Sequence, residues 1–273
     1  MCSKMRGTSE PMVHTMPSDI YAEIREGLLQ AGPARLEFTR KAFRMIPRME
    51  KPRILDVGCG EGGPTLELAR LSDGEVVALD IHQPSQDRLT GKIARESLSG
   101  RVHVIRGSLF AMGFLDESFD IVWSEGSIHI IGFERGLLEW LRLIRPGGVL
   151  VVHEVAWPQS EPPRELREFW QERWHDIRTA SGYSEAIRAS GYALTGQFTV
   201  PEDLWGVEYF GPLEGRIRLL REKYAQDREV LAFLDREQRE VDLYGKYPQW
   251  YESAFFVLQK PDDLSSRGLL SGG

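Results

Sequence analysis

Glycine and acidic residues in the first third of the chain have a spacing that suits the binding of a nucleotide-like ligand. Gly58, Gly60 and Gly63 form the pattern G-x-G-x-x-G after a short apolar run, and Asp80 ends the next apolar run. Glycines in such a turn let the backbone approach a ligand closely, and a carboxylate at the end of the second strand can bind both ribose hydroxyls. The pattern predicts a site for an adenosine-containing ligand, but it does not distinguish NAD from other ligands of this kind.

These residues must be positioned by strands that alternate with helices. The helical patterns are separated by apolar runs of strand type, at 53–57, 75–80, 102–106, 119–124, 149–155, 192–200 and 252–259. Because these runs are apolar almost throughout, they indicate a largely parallel sheet with helices on both faces. The carboxyl ends of parallel strands share one edge, and ligands of such sheets bind there. We therefore expect the chemically active residues directly after the strands.

Composition and charge bound the class of protein. The 273 residues include 34 Lys and Arg against 41 Asp and Glu, a formal charge of −7, which disfavours a nucleic-acid partner held by bulk charge. Cys2 and Cys59 are too few for a disulfide framework or a Cys-rich zinc site, and the His and carboxylate spacings predict no metal. No apolar run reaches the ~18 residues of a membrane helix, and residues 1–7 lack a signal-peptide core. We expect a cytoplasmic monomer or homodimer without a membrane or nucleic-acid partner.

The residues around the glycine loop favour one adenosine cofactor over NAD. Asp56 precedes the loop, and an acid there suits a ligand with an amine or cationic group better than a pyrophosphate. The segment I-L-D-V-G-C-G-E-G-G at 54–63 resembles the first motif of class I S-adenosylmethionine-dependent methyltransferases. Three further segments agree in order, V-V-A-L-D at 76–80, F-D-I-V-W-S at 119–124 and L-I-R-P-G-G-V-L-V-V at 143–152. The resemblance covers residues 50–157. Within the class, the chain most resembles the type 11 methyltransferases, which act on small molecules.

This resemblance implies an α/β fold with a Rossmann-like, doubly wound, mostly parallel seven-stranded sheet. The last strand would be antiparallel, and N-terminal and inserted helices would form a cap. The methyltransferase domain would span 18–260, with a cofactor-binding core at 50–157 and partial cap or acceptor regions at 18–47 and 160–245. The remaining segments are expected to be flexible tails, at 1–17 and 261–273.

The resemblance also implies which residues bind S-adenosylmethionine and its product S-adenosylhomocysteine. The predicted cofactor-binding residues are Asp56, Gly58, Gly60, Gly62, Asp80, Ile81, Ser108, Leu109 and Ser124. Asp56 would lie near the methionine amino group, Asp80 would bind the ribose hydroxyls and Ile81 would pack on the adenine. Ser108 stands where many family members have Asp, so its bond to the adenine amine would be weaker. The three glycines would let the backbone approach the cofactor.

The candidate catalytic residues follow the fourth strand. The segments W-S-E-G at 123–126 and I-G-F-E-R-G at 131–136 resemble a subgroup of small methyltransferases. Glu125 and His129 could orient or deprotonate a hydroxyl or amine of the acceptor. In the alternative interpretation, Glu125 caps a helix or pairs with Arg135, and His129 packs at the strand–helix junction.

The candidate acceptor-binding residues lie in the second half of the chain, which holds five of the seven Trp residues. They are Glu154, Trp157, Trp205 and Tyr209. Aromatic walls exclude water and can shape a pocket for a small organic acceptor, although such residues can equally attach added helices to the core. His153 precedes Glu154 in a strand, so the two side chains are expected on opposite faces.

The sequence therefore predicts methyl transfer by in-line displacement to an O, N or C atom of a small molecule. The cofactor carries the difficult chemistry, and the protein mainly aligns the acceptor. Three alternatives remain. A protein or nucleic-acid methyltransferase is disfavoured by the acidic charge and by S-E-G-S in place of an N-P-P-Y-like segment. An NAD-dependent oxidoreductase is disfavoured by Asp56 and R-P-G-G, and a non-catalytic cofactor-binding protein by the intact first motif.

Overall fold

A computed structural model describes residues 20, 23–24, 33–173, 176–200 and 203–262 of the chain. The expected tail at 1–17 lies outside the described residues, as does all but the first two residues of the tail at 261–273. Most of the helix expected at the start of the domain, after residue 18, is outside them as well.

In the described part of the chain, seven strands form one sheet. They are β1 (Arg53–Val57), β2 (Glu75–Asp80), β3 (Val102–Arg106), β4 (Phe119–Glu125), β5 (Ile144–Ala156), β6 (Ala193–Val200) and β7 (Glu252–Gln259). Their order is β3-β2-β1-β4-β5-β7-β6. The pairs among β1 to β5 are parallel, while β7 runs antiparallel to both β5 and β6. The expected sheet, with an antiparallel last strand, is confirmed.

Helices cover both faces of this sheet and continue into an added layer. They are α1 (Pro33–Arg44), α2 (Gly63–Leu71), α3 (Gln83–Arg95), α4 (Phe133–Leu141), α5 (Arg164–Arg173), α6 (Ala180–Ala189), α7 (Gly211–Lys223) and α8 (Arg228–Lys246). Short helical turns occupy Ile128–Ile130, Asp203–Trp205, Gly206–Phe210 and Pro248–Trp250. None of the helices in the described ranges is long and apolar enough to cross a bilayer.

The strand side chains alternate between two hydrophobic clusters. Ile54 of β1 packs with α1, α2 and α3, whereas the next residue, Leu55, packs with α4 and α6 on the opposite face. Burial on both faces explains why the strands are apolar almost throughout. This division also decides which strand residues can reach a site on either face.

The fifth strand begins earlier than the sequence pattern indicates. The apolar run predicts a strand over 149–155, whereas the preceding helix ends at Leu141 and the strand starts at Ile144. Pairing with the residue after β7 explains the difference. Gly147 N donates to Lys260 O at 3.1 Å, and Lys260 N donates to Gly148 O at 2.8 Å. Such a long-range partner leaves no signal in the local sequence.

The added layer, here called the cap, comprises α5, α7, α8 and the helical turns between β6 and α7. Its side chains form two clusters of their own, separate from the clusters on the two sheet faces. Ile20 and Ile24 pack against α7 and α8. Glu23 accepts hydrogen bonds from Lys223 Nζ at 2.7 Å and Tyr224 Oη at 2.8 Å. N-terminal and inserted segments therefore pack together, as the sequence resemblance implied.

A buried ionic network joins the helices of the cap. Arg173 of α5 donates to Glu237 Oε1 at 2.6 Å and also to Glu240 of α8. Both carboxylates are almost fully buried. Tyr209 Oη donates to the other oxygen of Glu240 at 3.1 Å. The network thus ties the turn that carries Tyr209 to the body of the cap.

Replacing Arg173 tests this network. We expect Arg173→Leu to lower the free energy of unfolding by about 3 kcal/mol, because buried carboxylates would lose their cation. The matched control is Arg164→Leu in the same helix, where the lost partner is the solvent-exposed Glu168. Urea denaturation should show no measurable change for the control. Equal stability of the two variants would contradict the stabilising role of the network.

Candidate functional site

The loop after β1 is bound to the end of β2 by backbone hydrogen bonds. The N–H groups of Gly58 and Cys59 both donate to Leu79 O, at 2.8 and 3.0 Å. Gly60 N donates to Asp80 Oδ2 at 2.8 Å. The loop therefore folds across the carboxyl end of β2 and lies against the carboxylate predicted to bind a ribose.

Three glycines of this loop have left-handed backbone conformations. The φ angles of Gly58, Gly60 and Gly62 are +72°, +51° and +77°. A Cβ on Gly58 would lie 2.5 Å from Ser127 Cβ, and one on Gly62 would lie 2.1 Å from Leu89 Cδ1. Packing within the protein thus already requires glycine at two of these positions, whereas the sequence resemblance explains them by the approach of the cofactor. Their contact with the cofactor stays a prediction.

Asp80 and Ile81 form an open surface at the end of β2. Asp80 Oδ1 accepts a hydrogen bond from His82 N at 2.8 Å, so backbone donors hold both carboxylate oxygens. The Ile81 side chain is 62% exposed. A fixed carboxylate beside an exposed apolar side chain suits the ribose and base of an adenosine.

The residues after β3 contribute less to this surface. Ser108 Oγ accepts a hydrogen bond from Phe110 N at 3.2 Å, which stabilises a local turn. Leu109 packs against the cluster on the α4 and α6 face. The Ser108 hydroxyl still has its proton and a second lone pair, so it can still form the weak hydrogen bond to adenine that the resemblance implies.

Asp56 is buried at the end of β1 and accepts a hydrogen bond from Thr65 Oγ1 at 2.5 Å. Burial is the main cause that raises the pKa of Asp56 to about 7. The charges of Glu125 and Asp80 act in the same direction, and the hydrogen bond from Thr65 opposes them. A cation near this group would therefore be stabilised by a carboxylate that solvent does not reach.

The other loop residues have structural roles. Glu61 is buried and pairs with Arg88 Nε at 2.8 Å and Lys92 Nζ at 3.3 Å, both on α3. Cys59 is also buried, and burial raises the pKa of its thiol above the usual range. A small, buried and protonated cysteine fits the expected role of a space filler.

A serine pair joins the end of β4 to the end of β1. Ser127 Oγ donates to Val57 O at 2.6 Å and lies 2.8 Å from Ser124 Oγ. Because the Ser127 hydroxyl gives its proton to Val57, Ser124 must donate to Ser127. Ser124 is fully buried, so its hydroxyl faces this pair and not an open surface. Sequence reasoning missed Ser127, which fills the space that the absent Cβ of Gly58 leaves.

Glu125 lies at the carboxyl end of β4, on the face covered by α1. Its Oε1 accepts hydrogen bonds from Trp123 Nε1 and Thr39 Oγ1, both at 2.8 Å. The alternative that Glu125 pairs with Arg135 is wrong, because Arg135 Nε instead pairs with Glu139 Oε1 at 2.5 Å. Thr39 was missed because it lies 86 residues away in the sequence.

His129 and Glu154 form a pair on the opposite face of the sheet. Both carboxylate oxygens of Glu154 lie 3.1 Å from His129 Nδ1. Glu154 is buried, and about a fifth of the His129 side chain is exposed. The predicted acceptor contact of Glu154 is thus replaced by a bond that orients His129, the arrangement by which a carboxylate fixes an imidazole used in proton transfer.

The other residue of the alternating pair, His153, faces a cavity beneath the cap. The cavity is lined by Phe38, Glu125, His153, Val200, Leu204, Trp205, Glu208, Tyr209, Ser253 and Phe255. Two of the predicted acceptor-binding residues, Trp205 and Tyr209, are in this lining. Trp157 is not, because it is buried in an aromatic cluster with Trp170 and agrees with the alternative of core packing. The lining also includes His153 and Glu208, which are not among the acceptor-binding residues predicted from the sequence.

Comparisons with known proteins agree with this geometry. Residues 55–152 match the family described as a methyltransferase domain. The sterol 24-C-methyltransferase erg6 of Aspergillus fumigatus is 38% identical over 177 residues, which are 62% of this chain and 47% of that protein. The chain spans about half the length, or less, of the curated relatives it matches.

Solved structures share the fold at low sequence identity. An S-adenosylmethionine-dependent methyltransferase from Geobacter sulfurreducens, in complex with S-adenosylhomocysteine, has a TM-score of 0.75 and 19% identity, over 89% of this chain and 98% of that one. The (4+2)-cyclase SpnF has a TM-score of 0.72 and 22% identity, over 89% and 94%. The chain is therefore similar to methyltransferase domains over residues 55–152 and shares the fold of these solved structures.

The glycine loop offers a matched pair of substitutions. Gly62→Ala should lower the free energy of unfolding by at least about 2 kcal/mol, because its φ is left-handed and its Cβ would overlap Leu89. Gly63→Ala, in the first turn of α2, has no atom within 4 Å of the new Cβ and should be neutral or stabilising. Thermal and urea unfolding of both variants check this, and equal losses would contradict the described loop conformation.

The raised pKa of Asp56 predicts a pH dependence of stability. Well below pH 3.8 the group is protonated in the folded and unfolded states. Between its unfolded pKa of 3.8 and its folded pKa of about 7, it is largely protonated in the folded state and largely ionised in the unfolded state. The wild type should therefore lose stability relative to Asp56→Asn as the pH rises from 4 to 7, with no further change above that. Urea unfolding across this range measures the difference, with the exposed Asp87→Asn as control. A flat difference for Asp56→Asn would refute the raised pKa.

Proposed function

We propose that this protein is an S-adenosylmethionine-dependent methyltransferase that methylates an O, N or C atom of a small-molecule acceptor. One observation carries the proposal. The glycine loop and Asp80, at the ends of β1 and β2, lie on the same sheet edge as a cap-covered cavity that begins at Glu125 of β4. Because β1 and β4 are paired directly, a cofactor held by the loop would lie next to an acceptor in the cavity.

The chain's own residues fit the parts of this cofactor. Asp80 has a second lone pair on each oxygen, so it can accept ribose hydroxyls while it keeps its backbone donors. The exposed Ile81 offers an apolar contact for the adenine. Asp56 suits the methionine amino end, because a cationic neighbour would stabilise its buried carboxylate. S-adenosylhomocysteine would be the product that these residues release.

When bound, the cofactor supplies an electrophilic methyl group on a sulfonium. This methyl group would pass to the acceptor atom by in-line displacement, and the bonding pair of the carbon–sulfur bond would remain on sulfur. Glu125, at the cavity, would orient the acceptor. Glu125 would also take a proton where the acceptor atom carries one. His129 lies with Glu154 on the opposite face of the sheet, outside the cavity lining, so its role as a base stays a prediction from the sequence. The cap residues Trp205 and Tyr209 would exclude water from the reacting atoms.

The names of the relatives indicate only a chemical class of acceptor for this chain. Their names specify a sterol, and an acceptor with apolar surface suits the aromatic walls of the cavity. The methylation of a small molecule, as opposed to a protein or nucleic acid, rests on this enclosed lining. A cytoplasmic location, and a monomeric or homodimeric state, stay predictions from the sequence.

Binding calorimetry tests the proposed cofactor. The wild type should bind S-adenosylmethionine and S-adenosylhomocysteine but not NAD. Asp80→Asn keeps an acceptor for Gly60 N and removes one carboxylate oxygen, so Kd should rise roughly 5- to 150-fold, or ~1–3 kcal/mol. Asp87→Asn on the outer surface of α3 is the matched control. Binding of NAD alone would refute the proposed cofactor, and an unchanged Kd for Asp80→Asn would show that the ribose binds elsewhere.

A further inference from the structure

Glu61 belongs to the tip of the glycine loop, at 60–62, and its side chain points into the protein. The side chain is only 1% exposed, although the loop lies at the sheet edge proposed for the cofactor. Its neighbours Gly60 and Gly62 have left-handed backbone conformations and no side chains. Because glycines leave a backbone flexible, the Glu61 side chain is the group through which the tip can be anchored.

Two cations of α3 hold the Glu61 carboxylate. Arg88 Nε lies 2.8 Å from Oε1, and Lys92 Nζ lies 3.3 Å from Oε2. Lys92 Nζ also donates to the main-chain oxygen of Glu61 at 3.1 Å. Each carboxylate oxygen thus has a cation of its own, which offsets the cost of burying the charge. The side chain and the backbone of the tip are both fastened to one helix.

The same helix is also fastened to Asp80. Gln86 Nε2 in its first turn donates to Asp80 O at 2.6 Å, and His82 N, directly before the helix, donates to Asp80 Oδ1 at 2.8 Å. The other carboxylate oxygen, Oδ2, accepts from Gly60 N at 2.8 Å. Asp80 is therefore held by the start of α3 on one side, and by the loop that α3 anchors on the other.

We propose that Glu61 is a positioning residue for the cofactor, which sets the ribose affinity of Asp80 without touching the ribose. This inference rests on the proposed function. The ion pairs to Arg88 and Lys92 keep Gly60 beside Asp80, so that the Gly60 N–H fixes the orientation of the carboxylate. Without these ion pairs the glycines would let the tip and the carboxylate reorient, and ordering them again would cost free energy in each binding event.

Two ligands that differ by one ribose hydroxyl test the inference. They are S-adenosylhomocysteine and its 3′-deoxyribose analogue, S-(3′-deoxyadenosyl)homocysteine. We expect the wild type to bind the first at least about tenfold more tightly, because the analogue cannot make one of the hydrogen bonds to the carboxylate. Calorimetry measures both dissociation constants, and their ratio reports the ribose contact.

A matched pair of substitutions assigns this contact to Glu61. Glu61→Gln should reduce the ratio to about threefold or less and weaken S-adenosylhomocysteine at least about fivefold. The control is Glu67→Gln. Glu67 is similarly buried, with 4% of its side chain exposed, but its partners Arg40, at 2.5 Å, and Arg70, at 3.0 Å, belong to α1 and α2. Loss of folded protein weakens both ligands by one factor, so the control should keep the wild-type ratio.

Substitutions of Lys92 give a second test that disturbs the fold less. About a quarter of the Lys92 side chain is exposed. Lys92→Met removes the cation but keeps the aliphatic stem, and it should lower the ratio at least about twofold. Lys92→Arg keeps a cation within reach of Glu61 and should restore the wild-type ratio. These variants decide the question if Glu61→Gln does not fold.

The outcomes separate this inference from the proposed function. If the wild type does not bind S-adenosylhomocysteine, or binds both ligands equally, the proposed ribose site and this inference are both refuted. If the wild type discriminates and Glu61→Gln and Lys92→Met discriminate as strongly, only the role of Glu61 is overturned. An equal loss of discrimination in Glu67→Gln would overturn it as well, because the effect would then not belong to the ion pairs with α3.

Discussion

The hydrogen bonds that fasten the β1 loop to the end of β2 determine much of the site. Leu79 O accepts from two consecutive N–H groups, and the Asp80 carboxylate accepts from a third. The loop can follow this path only because its glycines adopt left-handed conformations. As a result, a buried carboxylate at residue 56 and a solvent-facing one at residue 80 lie at adjacent strand ends. The cofactor proposed here would span both.

The second constraint is the division of the sheet edge into two faces. Glu125 and His153 face α1 and the cap, whereas Ser124 and Glu154 face α4 and α6. The polar residues after β4 and β5 therefore split into a cavity lining and a supporting set. In the supporting set, Ser124 is hydrogen-bonded to Ser127, and Glu154 is hydrogen-bonded to His129. These two bonds hold the loop after β4 from the α4 and α6 face. The cap completes the cavity, and its Arg173 network holds Tyr209 in place through Glu240.

Much of this arrangement follows from the sequence, because local patterns specify it. Apolar runs predicted the seven strands of the described sheet, and the glycine loop with Asp80 predicts the edge at which the proposed cofactor would bind. Strand alternation separated His153 from Glu154, but it could not tell which of them faces the cavity, since that depends on where α1 and the cap pack. The partners Thr39 for Glu125 and Ser253 for His153 come from distant segments and leave no local signal. The early start of β5 could not be predicted either, because it depends on pairing with the distant residue that follows β7.

The central claim is that one adenosine cofactor lies between the glycine loop and the capped cavity. A crystal structure of the complex with S-adenosylhomocysteine tests it most directly. The account predicts that the ribose hydroxyls bind Asp80, the amino group lies near Asp56, and the sulfur faces the cavity beside Glu125. Density that places the sulfur on the α4 and α6 face, or the ribose away from Asp80, would contradict it.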